Sequence, residues 1–193
     1  MHITFFNSEQ QDGLIDGVKI HKFVVHRDST GSLMETLRSD WQDVFFEPNA
    51  SFGQSYYSIT PPGIARDENQ WHMHPTKQSD RFLILSGNAV VALYDTRQSS
   101  PTKGKLNLFL MGEGNNDRYQ YLLFIPMQVL HGFCAVGSKS CSLLNFPTHL
   151  YDPSEEGRIP FSEAGAEFSN GTPFSWDAVR EAIKIQGELS SIS

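Results

Sequence analysis

Short apolar runs, broken by turn residues, set the texture of this chain. Val18, Ile20, Phe23, Val24 and Val25 alternate loosely and stop at the polar cluster Asp28-Ser29-Thr30-Gly31. Arg81-Phe82-Leu83-Ile84-Leu85 ends at Ser86-Gly87-Asn88, and Ala89-Val90-Val91-Ala92-Leu93-Tyr94 follows at once. Because a Gly-Asn turn joins two runs rich in β-formers, this pair predicts a hairpin. Further strands are predicted over 106–111, 119–125, 132–136 and 141–146. Many short strands with little helical periodicity predict a sandwich or barrel. One helix is predicted near the end, where Thr172-Pro173 supplies a hydroxyl N-cap and a proline at the first helical position. Trp176, Val179 and Ile183 then recur at helical spacing. A weaker helical pattern covers Leu33 to Arg38, and residues 189–193 read as a frayed end.

Composition narrows the class. The chain has 193 residues and shows no repeat, linker or low-complexity tract, which predicts one domain over residues 1–193. With 39% hydrophobic and 12% aromatic residues it is too apolar for a disordered chain. No apolar run approaches the roughly 18 residues of a membrane span, so no membrane partner is expected. Met1-His2-Ile3-Thr4-Phe5-Phe6 lacks the basic-then-apolar layout of a secretory signal, and a cytoplasmic location follows as the expectation. Lys+Arg 15 against Asp+Glu 22 gives a net charge of −7 with no basic cluster, which argues against nucleic acid as the main partner. Cys134 and Cys141 sit in apolar surroundings and read as small hydrophobes rather than a disulfide.

Three of the seven histidines are placed for chemistry. His72 and His74 flank Met73, so on a strand they point to one face. Asp80 follows six residues after His74, and His131 stands on a later predicted strand. Three neutral imidazoles and a carboxylate make a mixed nitrogen and oxygen set suited to a divalent transition metal such as Fe, Mn, Ni or Zn. The same residues also suit a metal-free polar pocket with a histidine acid or base. His21, His26 and His149 have no partner at a useful spacing. Tyr56, Tyr57, Trp71 and Phe133 are aromatic candidates for stacking on a ligand, with the barrel core as the alternative.

The His-x-His pair, the carboxylate, Gly87, and Pro126 five residues before His131 resemble the two cupin motifs, with Asp80 where those usually carry Glu and Gln128 where they carry Gly. A closer likeness is to the dTDP-4-dehydrorhamnose 3,5-epimerase family. It rests on Asp95-Thr96-Arg97…Ser100-Pro101-Thr102-Lys103-Gly104, Pro126…His131-Gly132-Phe133, Tyr151-Asp152-Pro153…Glu155-Glu156, and Gln54…Ser58…Arg66. The early Asp28…Gly31…Glu35 run also matches, with Thr30 in place of an arginine. The resemblance implies an all-β cupin (jelly-roll) barrel with a short C-terminal helix, working as a homodimer. It implies His72 as the base, with His74 as the alternate, and Asp177 as the carboxylate that orients it. Substrate contacts are implied at Arg66, Gln54, His131 and Tyr151, with Arg66 on a diphosphate.

Two catalytic positions of the family are altered on this reading. The lysine position carries Asp80 and the proton-donating tyrosine position carries Asn145. Asp80 completes a metal-ligand set of His72, His74, Asp80 and His131, and a metal there replaces the lost positive charge as a Lewis acid. The resemblance thus implies an epimerase or ketoisomerase acting on a nucleotide-linked 4-keto-sugar, without an organic cofactor. Two rivals stand beside it: a mononuclear metal cupin of another reaction class, such as a dioxygenase, and a sugar-binding cupin without catalysis.

Overall fold

A computed structural model describes residues 3–45, 51–113 and 117–187. Its first strands are β1 (Lys19–Lys22), β2 (Val25–Asp28), β3 (Gly31–Met34), β4 (Tyr56–Thr60) and β5 (Ala65–Arg66). Then come β6 (Gln70–Met73), β7 (Asp80–Ser86), β8 (Asn88–Asp95), β9 (Leu106–Gly112) and β10 (Tyr121–Ile125). The last strands are β11 (Val129–Val136), β12 (Cys141–Asn145) and β13 (Gly157–Pro160), followed by helices α1 (Phe161–Ala164) and α2 (Trp176–Gln186). A five-stranded sheet runs β1-β10-β7-β12-β4, and a second sheet runs β13-β6-β11-β8-β9 with β5 also on β11. β2 and β3 form a separate two-stranded ribbon.

The alternation of side chains explains where the core lies. Ala89, Val91 and Leu93 of β8 join Phe82, Ile84, Leu123, Ile125 and Leu143 in the layer between the two sheets. The intervening Val90, Ala92 and Tyr94 face the other way, onto Trp71, Phe174, Trp176, Val179 and Ile183 under α2. β8 is therefore covered on both faces, which is why its sequence is a continuous apolar run rather than an alternating one. Each large side chain buried in this way contributes roughly 1.5–3 kcal/mol before entropy is counted. Trp71 belongs to this second layer, stacked on Phe174 at 4.6 Å, and is core rather than a ligand platform.

Three local expectations are corrected. β7 and β8 do not pair as a hairpin: β7 lies between β10 and β12 in one sheet, while β8 lies between β11 and β9 in the other. Gly87, at φ +67°, turns the chain from one sheet to the other. β7 exposes Leu85, whereas every residue of β8 needs cover on both sides, so the two strands suit different sheets. The C-terminal helix begins three residues later than Thr172-Pro173 suggests. Ser175 is its N-cap, its Oγ accepting from the Ala178 amide at 3.3 Å, because Pro173 is held in a bridge to Glu167. Leu33 and Met34 lie in β3, and the residues up to Arg38 form no helix, since pairing with Val25 and His26 fixes that segment extended. The frayed end at 189–193 lies outside the described residues. Among the described residues no helix is long and apolar enough to cross a membrane.

Candidate active site

Both sheets contribute to one cluster of titratable side chains. His72 on β6 is directly opposite His131 on β11, so the two rings share a face. His74 follows two positions after His72 and turns the same way. Ring centroids lie 4.6 Å apart for His72 and His74, and 4.9 Å apart for His72 and His131. One ring nitrogen from each of the three falls within 4.8 Å of the others. The facing sheet supplies Asp80, the first residue of β7, and Asn145, the last of β12.

Asp80 is buried and accepts hydrogen bonds on both oxygens. Oδ2 lies 3.0 Å from His74 Nε2 and 3.4 Å from His131 Nε2; Oδ1 accepts from Gln78 Nε2 at 3.1 Å and Asn145 Nδ2 at 3.0 Å. Burial alone would raise this carboxyl, but the His131 and His74 imidazoles reverse that and hold it well below the usual range. Burial opposes charge on His74, and the Asp80 carboxylate outweighs it, so this histidine titrates above its ordinary value. Its Nδ1 faces the backbone carbonyl of Glu155 at 2.8 Å; a carbonyl only accepts, so Nδ1 carries a hydrogen.

His72 is the opposite case. Burial, with the charges of His131 and His74 beside it, pushes it down to about 2, so its ring is neutral in the physiological range. Its Nε2 is 3.1 Å from Glu156 Oε2, near enough for an ionic contact but not aligned as a hydrogen bond. His131 donates from Nδ1 to the Val129 carbonyl at 3.0 Å, and its Nε2 likewise has no aligned partner among the described residues. The site therefore holds a neutral imidazole, an imidazole shifted toward its charged form by a buried carboxylate, and two buried ring nitrogens, on His72 and His131, without an aligned hydrogen-bond partner among the described residues.

A comparison with protein families matches residues 13–173 to the model described as dTDP-4-dehydrorhamnose 3,5-epimerase. The chain belongs to this family. It is 41% identical over 150 residues to the "Probable low-salt glycan biosynthesis epimerase Agl13" of Haloferax volcanii, covering 76% of this chain and 88% of that one. A dTDP sugar isomerase from Desulfovibrio desulfuricans G20 superposes with a TM-score of 0.68 at 28% identity, over 84% of this chain and 92% of that one. The fold is shared as well by the Legionella pneumophila dTDP-6-deoxy-D-glucose-3,5-epimerase solved in complex with dTDP-4-keto-L-rhamnose (TM-score 0.67, 20% identity, 87% and 84% covered). This chain is thus an enzyme of the epimerase family on a cupin-type double sheet.

Of the residues singled out in the sequence, His72, His74, Asp80, His131 and Asn145 come together. Arg66, on β5 opposite Phe133, lies beside the cluster with its Nε on Thr60 Oγ1 (3.2 Å) and has no carboxylate partner among the described residues. Gln54 and Tyr151 lie on segments flanking β4 and β13, outside the cluster, and Tyr151 is exposed. Asp177 does not orient His72. It stands in the first turn of α2 with its side chain 92% exposed, bonded to Arg180 at 2.8 Å. The carboxylate at His72 is Glu156 instead.

Two contacts around the cluster, those of Glu155 and Tyr56, were not legible in the sequence. The Glu155 carboxylate accepts from the amides of Thr76 (3.2 Å) and Lys77 (3.0 Å), clamping the loop between His74 and Asp80. Its signal was the paired Glu155-Glu156 in the Tyr-Asp-Pro run, which carried the resemblance without a role. Tyr56 bonds Asn145 at 2.8 Å across β4 and β12, a contact that no local spacing announces.

Proposed function

We propose that this chain epimerises a nucleotide-linked 4-keto-sugar by moving a proton at a carbon next to the ketone. The observation that carries this reading is geometric: in an epimerase-family fold His72 packs against His74 and His131 at 4.6 and 4.9 Å, with Glu156 on its Nε2 and the Asp80–His74 pair beside it. Proton abstraction next to a ketone needs a base with a free lone pair and a positive or hydrogen-bonding group at the developing enolate oxygen. His72 holds the lone pair. Glu156, 3.1 Å away, offsets the charge His72 gains on taking up the proton. His74, shifted toward its charged form by Asp80, is the group at the enolate oxygen. Arg66 takes the diphosphate, and a guanidinium can bond two of its oxygens at once. The acting unit is a cytoplasmic homodimer, whose second copy covers the exposed edge strand β4 with its Tyr57 and Ile59.

A metal-bound form has its own support. The Nε2 atoms of His72 and His131 are buried without hydrogen-bond partners, and the three imidazoles converge within 4.8 Å. This donor set fits Fe, Mn, Ni or Zn, with His72, His74 and His131 as ligands and Asp80 as the fourth. A metal held there supplies Lewis-acid stabilisation of an enolate oxygen.

The test is solvent exchange. The purified protein, with its metal content measured, is incubated with a dTDP-4-keto-6-deoxy-hexose in deuterated water and followed by NMR. Deuterium is expected next to the ketone, and His72→Ala should slow its entry by about a thousandfold. Saturable binding of the sugar nucleotide without any exchange would instead mark a non-catalytic binding protein.

A further inference from the structure

Inverting a carbon through an enolate requires two groups: a base on one face of the sugar and an acid on the other. On the reading proposed above, His72 is the base and stands on the six-stranded sheet. An acid must then approach from the five-stranded sheet. Asn145 sits there, but an amide is no proton donor to carbon, and its atoms are already committed. Its Oδ1 accepts from the Arg81 amide at 3.0 Å, which fixes the orientation of the group; its Nδ2 donates to Asp80 at 3.0 Å and to Tyr56 Oη at 2.8 Å.

This orientation decides the state of Tyr56. Its oxygen receives a hydrogen from Asn145, so its own hydroxyl hydrogen is left for another acceptor. Tyr56 is the directly opposed partner of Asn145 in the β4–β12 ladder, so both side chains turn to the same face. Two and four residues on, Ser58 and Thr60 share that face of β4, and Thr60 meets Arg66. The phenol therefore stands between the Asp80 end of the cluster and Arg66, across the intersheet space from His72. We propose that Tyr56 is the acid that delivers a proton to the enolate carbon on the face opposite His72.

The step balances without an oxidant or a second substrate. The C–H bond breaks toward His72, leaving its electron pair in the enolate. That pair then forms a new C–H bond with the hydroxyl proton of Tyr56, and the O–H electrons remain as phenolate. Solvent, which reaches Tyr56 because the residue is 45% exposed, reprotonates it and takes the proton from His72. Burial and the Asp80 charge hold the phenol up at about 12, so it is protonated at neutral pH while remaining more acidic than a carbon next to a ketone.

Tyr56→Phe in the full chain separates this role from a structural one, because His72 can still remove a proton and return it to the same face. In deuterated water with the dTDP-4-keto-6-deoxy-hexose, the variant should keep exchange with retention and lose inversion by about a hundredfold or more. Tyr94→Phe, in the layer under α2 and away from the histidine cluster, should match the parent in both. Inversion by Tyr56→Phe at the parent rate, or an equal loss of exchange and inversion, would overturn the assignment of Tyr56 alone. A parent protein that exchanges no deuterium removes the epimerase reading itself, and the role of Tyr56 goes with it.

Discussion

Asp95 closes β8 with its carboxylate buried, accepting from Arg97 Nε (2.9 Å), Ser100 Oγ (2.6 Å) and Thr102 Oγ1 (2.7 Å). Burial would raise this carboxyl; Arg97, Ser100 and Thr102 together pull it well below the usual range. Its acceptor sites are filled by the protein, so it ties the 95–104 loop rather than binding a ligand. A depressed aspartate contributes stability that is complete above its unfolded value of about 3.9 and is lost as pH falls toward the folded one. Asp95→Asn should cost about 3 kcal/mol at pH 7, read by urea denaturation, and should flatten the fall in stability below pH 4. Asp80 has equal burial but different neighbours: two of its partners are imidazoles with ring nitrogens directed at the same space. The sequence marked both carboxylates, and the company each keeps separates a loop tie from a member of the histidine cluster.

Elements are where sequence patterning served well and where it failed. Strand positions along β9, β11 and β12 were legible because alternation and apolar runs are local properties of the chain. The partner of β7 was not, since a Gly-Asn turn encodes a change of direction and not the sheet that receives the next strand. Gly87 makes that change possible. A Cβ there would lie 2.3 Å from the Ser140 carbonyl oxygen, and the backbone is in the left-handed region. Gly87→Ala should therefore destabilise the fold by at least about 3 kcal/mol, seen as a lowered midpoint in thermal melts. The late start of α2 has a similar cause: the Glu167–Pro173 bridge, a tertiary contact, overrides a capping sequence that is sound by itself.

Across the whole molecule, the net charge of −7 must admit a substrate that carries negative charge if the proposed function holds. The cations near the site are mostly committed. Lys77 pairs with Asp152 at 2.6 Å, and Arg158 with Glu156 at 2.8 Å and Asp67 at 3.4 Å. Arg66 has only Thr60 Oγ1 and the Ile59 carbonyl, both neutral acceptors. Among the described residues around the cluster, Arg66 is accordingly the cation without a carboxylate partner that a diphosphate could meet. Arg66→Gln should weaken dTDP binding by about tenfold to a hundredfold in calorimetric titration, with the effect shrinking as salt is raised.

By itself the sequence determined the β-rich class, most strand positions, and the inward pairing of His72 with His74, because each follows from a period of two along a few residues. It also supplied the histidine and carboxylate types that the chemistry needs. Only the tertiary structure decided that Glu156 rather than Asp177 stands beside His72, that Asp80 raises His74, and that Tyr56 meets Asn145 from 89 residues away. Those contacts depend on which sheet each strand joins, and that choice is made by burial summed over the whole core, a quantity no short stretch of chain contains.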